Sequence, residues 1–224
     1  MKIKGITAWV VILCLIAVYV FAGSQTTSST TASVIIDRAE VLFNDTSNEF
    51  MDASEALVWV NDGTMDIVAR THCLEDTETE TLLTDTASYA LADPFIVVRA
   101  VVYNNEKALK PGSLEHFYRT EDTGEPEFWF TWENNLMVYP TPGSDISGVT
   151  MEVYVVDRPT AVTAAQTVLV PTQYDRALVL YVYAQALYKD RQYAKAGRIM
   201  AEYIAELDRY RLDLNTQPIK EEID

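Results

Sequence analysis

Apolar residues recur at helical spacing near both ends of the chain and at strand spacing between them. Val34, Ile35, Ala39, Leu42 and Phe43 predict one face of a short helix over 33–43, closed by Asn44-Asp45. A second helix starts at Asp52-Ala53-Ser54, with Asp52 or Ser54 as cap. Its apolar side is Leu57, Val60, Met65, Ile67, Val68 and Thr71, and Asn61-Asp62-Gly63 should break or bend it. Residues 77–86 are acidic and threonine-rich with alternating character. Phe95 to Tyr103 is the strongest strand, nearly all apolar and β-branched, and Ser113-Leu114-Glu115 caps a single helical turn through Arg119.

The pattern then predicts a hairpin. Gly124-Glu125-Pro126 leads into Phe128-Trp129-Phe130-Thr131-Trp132, Asn134-Asn135 turns, and Leu136-Met137-Val138-Tyr139 returns until Pro140 and Pro142 stop it. Residues 149–156 alternate cleanly, with Met151, Val153 and Val155 on one face and Glu152 and Tyr154 on the other. Pro171-Thr172 opens a helix carrying Ala177, Leu178, Tyr181, Ala184, Gln185 and Tyr188, with Thr172 as its cap. After Lys189-Asp190-Arg191 a last helix carries Tyr193, Ala196, Met200, Tyr203, Ile204, Leu207 and Tyr210 on one side. These two form an antiparallel pair. A single tetratricopeptide-like hairpin can be read over 180–207, but one repeat does not make an array.

Helices, then strands, then helices make an α+β domain: a helical bundle of N-terminal helices and a C-terminal helix pair, with an inserted antiparallel hairpin and sheet region. It spans 34–213. Residues 1–22 have two lysines followed by an uncharged apolar run, the layout of a signal peptide or an N-terminal membrane anchor. Residues 23–33 read as a Ser/Thr linker, and 214–224 as a loose tail.

Composition narrows the function. The chain has 224 residues and a formal net charge of -16. A surface this acidic excludes a sequence-reading nucleic-acid binder, which needs basic patches for phosphates. It suits solubility, or a wall along which DNA slides. Thirteen tyrosines and four tryptophans suit interfaces as well as a core.

No catalytic constellation stands out. Of two cysteines, Cys14 lies in the leader and Cys73 is alone in the body, so no disulfide or Cys/His metal set is expected. His72 beside Cys73 does not make a nucleophile pair, because neighbours on a helix diverge. His116 is the other histidine and lies far from both in sequence. Glu125, Glu127 and Glu133 flank the hairpin as paired carboxylates of a sugar hydrolase would, but the same pattern fits a charged strand edge. The expectation is no enzyme, no cofactor and no metal.

An ordered series of phrases resembles a known family, the adaptor or head-to-tail connector proteins of short-tailed bacteriophages. It runs from Leu42-Phe43-Asn44-Asp45 through Trp59-Val60-Asn61 and Tyr89-Ala90-Leu91-Ala92-Asp93-Pro94-Phe95. It continues with Gly124-Glu125-Pro126, Leu136 to Pro142, Val170 to Tyr174 and Ala184 to Leu187. The resemblance implies a structural virion protein without catalysis: a homo-oligomeric ring subunit between portal and tail proteins that extends the DNA channel. Passing DNA would not be read by sequence. Phe128, Trp129, Phe130, Trp132 and Tyr139 of the hairpin and Tyr210 of the last helix are the expected interface residues.

The leader departs from that pattern, since an adaptor assembles in the host cytoplasm. Either the start is misplaced, or the body serves outside the cytoplasm as an exported envelope binding module that holds a partner on the aromatic hairpin. Membrane contact, in either case, would be confined to residues 6–22.

Overall fold

The computed structural model describes residues 28–45, 49–115 and 122–214, with side chains described to Tyr210. The leader, His116, Arg119 and the tail from Asn215 lie outside the described residues. Four α-helices and ten strands are present among the described residues. The helices are α1 (Ala32–Phe43), α2 (Ala53–Thr71), α3 (Asp175–Lys189) and α4 (Tyr193–Leu214).

The architecture is α+β, as expected, with a β region larger than an inserted hairpin. One sheet has the order β1-β10-β3-β4, from Glu75–Thr81, Thr150–Asp157, Phe95–Tyr103 and Lys107–Ala108. A second has the order β2-β8-β7-β5, from Ser88–Ala90, Asn135–Tyr139, Phe128–Trp132 and Lys110–Pro111. A short pair joins β6 (Thr123–Gly124) to β9 (Thr141–Pro142). The long ladders are antiparallel, but β5–β7 and β6–β9 are parallel, which the sequence reading did not anticipate.

β1 is the strand the hydrophobic pattern leaves undefined. It is Glu-Asp-Thr-Glu-Thr-Glu-Thr, mostly exposed, and pairs along its whole length with β10. Threonine favours the pleat, and the carboxylates guard an edge strand against further pairing. The inner faces of the two sheets meet through Val101, Met151, Val153 and Val155 on one side and Trp129, Leu136 and Val138 on the other.

A second core lies among the helices. α3 is its centre, buried on nearly every face, with α1, α2 and α4 around it. The register of β10 against β3 shifts between Tyr154 and Val155 and again between Val156 and Asp157. Val155 faces the sheet core with Met151 and Val153, while Val156 points to the opposite face and joins the helical core, where Ile96 and Val97 also pack.

Three local expectations are corrected. α2 is one continuous helix through Asn61-Asp62-Gly63. Tertiary contacts there outweigh the helix-breaking tendency: a Cβ on Gly63 would lie 2.7 Å from Leu178 Cδ1. Thr172 is not a side-chain cap; it lies in a 3-10 turn (Thr172–Tyr174) leading into α3. In α1, Val34 and Leu42 are exposed, and the buried face is Ala32, Ile35, Ile36, Ala39 and Glu40. By contrast Asp52 caps α2, accepting from the amides of Ser54 and Glu55.

Within the stretch read as a linker, Ser28 N donates to Val170 O at 3.2 Å, and Thr30 O accepts from Val168 N at 3.0 Å. Residues 28–31 thereby run beside the segment leading into α3.

Candidate functional site

The aromatic hairpin forms as expected, one residue out of phase at its tip. Glu133 and Asn134 occupy the turn with φ of 49° and 66°, and Asn135 already belongs to β8. Positive φ at both central positions is the turn geometry whose twist matches the flanking strands. Phe128 faces Tyr139 across the ladder, Trp129 faces Val138, and Trp132 faces Asn135.

The six expected interface residues do not form one surface. Trp129 is buried in the sheet core, and its indole nitrogen has no hydrogen-bond partner among the described residues. Phe130 is also buried, so neither ring is available to a partner. Phe128 and Tyr139 are half-buried, and Tyr139 donates its hydroxyl proton to Asp122 Oδ2 at 3.1 Å. Trp132 is 52% exposed at the tip. Tyr210 sits on the helical body, edge-on to Tyr174 at 5.8 Å between ring centroids. The hairpin thus offers one large exposed ring, supported by a buried aromatic root.

Sequence reasoning missed a second exposed apolar surface. On α1, Val34, Val41 and Leu42 are 37%, 67% and 48% exposed. With Val179 of α3, Asp37 and Arg38 they line a groove of about 410 Å³. The signal was present, since Ile35, Ile36 and Ala39 already fill an inward face and Val41 falls outside it.

The family model for SU10 adaptor protein matches residues 30–220. A comparison with curated proteins returned no match. The chain belongs to this family of phage adaptor proteins. The match begins at the residues that pair with the segment leading into α3 and takes in the ten strands and four helices seen among the described residues. Membership makes the chain a phage adaptor protein and supports a place in the virion beside other virion proteins. The exported reading finds no support there, and residues 1–22, which prompted it, lie outside both the match and the described structure.

The candidate catalytic groups of this adaptor do not converge. His72 ends α2 at φ 54°, and Arg99 Nη2 lies 3.0 Å from its Nδ1. Cys73 is buried, which pushes its thiol above the ordinary range and away from the nucleophilic thiolate. Glu125 is ion-paired with Lys107 at 2.7 Å. Among the described residues no group of three or more His, Cys, Asp or Glu side chains could hold a metal ion.

Electrostatic tension gathers where β1 meets the end of β10. Burial, with Asp76, Asp93 and Glu78 nearby, raises the Asp157 carboxyl to about 6. Asp157 Oδ1 is enclosed without a hydrogen-bond partner. Glu40 of α1 is likewise raised, by burial first and then by Asp37 and Asp45. These are costs the fold carries, and none of them aims at a shared point where a substrate atom could sit.

Proposed function

We propose that this adaptor protein is a ring subunit that joins portal to tail and continues the DNA channel. Family membership over residues 30–220 carries the reading. The surface chemistry agrees with it. The outer strand β1 carries four carboxylates along one edge of the first sheet, Glu75 and Asp76 exposed and Glu78 and Glu80 half-buried, within a chain of net charge -16. Such a wall repels phosphates over about 8–10 Å at physiological salt, so DNA can pass without being pinned. Trp132, exposed at the β7–β8 turn of the four-stranded second sheet, is suited to anchor in a pocket of an adjacent subunit, as exposed tryptophans at protein interfaces do. The role is structural, with no catalytic step.

The test is assembly. Purified protein is mixed with the portal of the same phage and followed by sedimentation and electron microscopy. Rings, alone or on the portal, are the expected result. A monomer that binds neither itself nor portal would overturn the reading.

A further inference from the structure

Two apolar features stay uncovered on the subunit, one convex and one concave. The convex one is Trp132, exposed beside the β7–β8 turn with Glu133 next to it. The concave one is the groove of about 410 Å³, walled by Val34, Val41 and Leu42 of α1 and Val179 of α3, with Asp37 and Arg38 as its polar members. They belong to different cores. α1 packs among the helices, whereas β7 and β8 are rooted in the sheet core through Trp129, Leu136 and Val138. Neither covers the other within one subunit, since Trp132 and Val41 both remain exposed. A contact between them would join two copies through unlike surfaces, the arrangement that repeats head to tail and can close into a ring.

We propose that the Trp132 tip of one subunit seats in the α1 groove of the next copy of this chain. The inference rests on the ring reading above and names the joint. Trp132 is the largest exposed apolar ring among the described residues, and the groove's aliphatic walls give it a surface to cover. The polar groups match as well. An indole N–H that becomes buried needs an acceptor, and Asp37 offers an exposed carboxylate on the groove. Glu133, beside the ring, is opposite in charge to Arg38, which is exposed and has no ion-pair partner among the described residues. Asp37 and Arg38 cancel, so the groove itself does not repel the tip. The adjoining cleft offers no competing match, because its Arg176 and Arg209 are already paired with Glu202 and Glu206.

The test uses full chains that carry Cys14→Ser, while Cys73 stays buried. One chain has Asn134→Cys at the tip and the other Val41→Cys in the groove. Mixed under mild oxidation, they should form a disulfide between copies about tenfold faster than Asn134→Cys mixed with Val58→Cys, an exposed site on α2. Equal rates overturn the proposal. Leu42→Glu, added to the Val41→Cys chain at an exposed site, should leave the melting temperature unchanged and return the rate to that of the control. A rate that does not fall overturns it too. Electron microscopy of the parent, with and without the portal, separates this joint from the ring reading. Rings without the preferred cross-link keep the ring and sink the joint. The preferred cross-link without rings keeps the joint and sinks closure. Neither one sinks both. If Val41→Cys is shielded from maleimide only when portal is added, the portal is the occupant and the joint is again overturned.

Discussion

Asn61 and Val162 are joined by two hydrogen bonds across 101 residues of chain: Val162 N donates to Asn61 Oδ1 at 2.8 Å, and Asn61 Nδ2 donates to Val162 O at 3.2 Å. The amide of Asn61 thus does for the 158–170 connection what a strand neighbour would do. Asn61→Ala should cost about 1–3 kcal/mol, because both backbone groups lose partners at a half-buried site. Asn61→Asp keeps the acceptor but sets a carboxylate oxygen against Val162 O, acceptor facing acceptor, and should cost at least as much. Urea unfolding of the three proteins checks the order.

Two residues further along α2, Gly63 marks a close approach to α3. A methyl group there would fall 2.7 Å from Leu178 Cδ1 and 2.8 Å from Tyr181 Cδ1. Alanine gains about 1 kcal/mol of helix propensity over glycine, but overpacking a filled core costs about 1–3 kcal/mol. Leu178 is fully buried and has little room to retreat. Gly63→Ala should therefore destabilise the fold, and the penalty should shrink when Leu178 is shortened to valine. A double-mutant cycle by chemical denaturation would reveal the coupling. Additive effects would mean that the helices simply move apart.

These two positions show why the sequence was only partly legible. Local rules read Asn61-Asp62-Gly63 as a breaker, because asparagine and glycine favour turns. The decisive facts, a backbone partner at Val162 and a tight contact with Leu178, lie about a hundred residues away. β1 escaped for a related reason: its strand character comes from pairing with β10, not from apolar alternation. Where periodicity and turn chemistry agreed, as in the hairpin and in β10, the reading held. Of the expected interface, Trp132 could not be separated from Trp129 by residue type. Only the second sheet's packing decides which tryptophan is enclosed.

The raised Asp157 carboxyl makes stability depend on pH in a defined direction. Its folded value of about 6 exceeds the ordinary value of 3.8, so the folded state holds the proton more tightly. This group favours the fold at low pH, and that contribution is lost as pH rises through 6. Asp157→Asn removes the charge and should raise stability at pH 7.5 while leaving it nearly unchanged at pH 4.5. Thermal melts of both proteins across that range would show it. A wild-type minus mutant difference that stays flat would mean Asp157 titrates normally.

If subunits join in the proposed ring through the hairpin tip, Trp132 separates assembly from folding. It is 52% exposed, at the end of β7, and the two-residue turn after it sets where the ring points. Truncating an exposed ring should change the stability of the subunit by no more than about 0.5 kcal/mol. Removing a large aromatic anchor from an interface commonly costs 2 kcal/mol or more, roughly thirtyfold in affinity per contact, and a closed ring multiplies that loss over every joint. Trp132→Ala should therefore melt like the parent yet fail to build rings in sedimentation runs. Trp129→Ala should do the reverse, lowering the melting temperature through the sheet core, because its ring is enclosed there. If Trp132→Ala assembles normally, subunits join through another surface, and the hairpin tip is only a solvated turn.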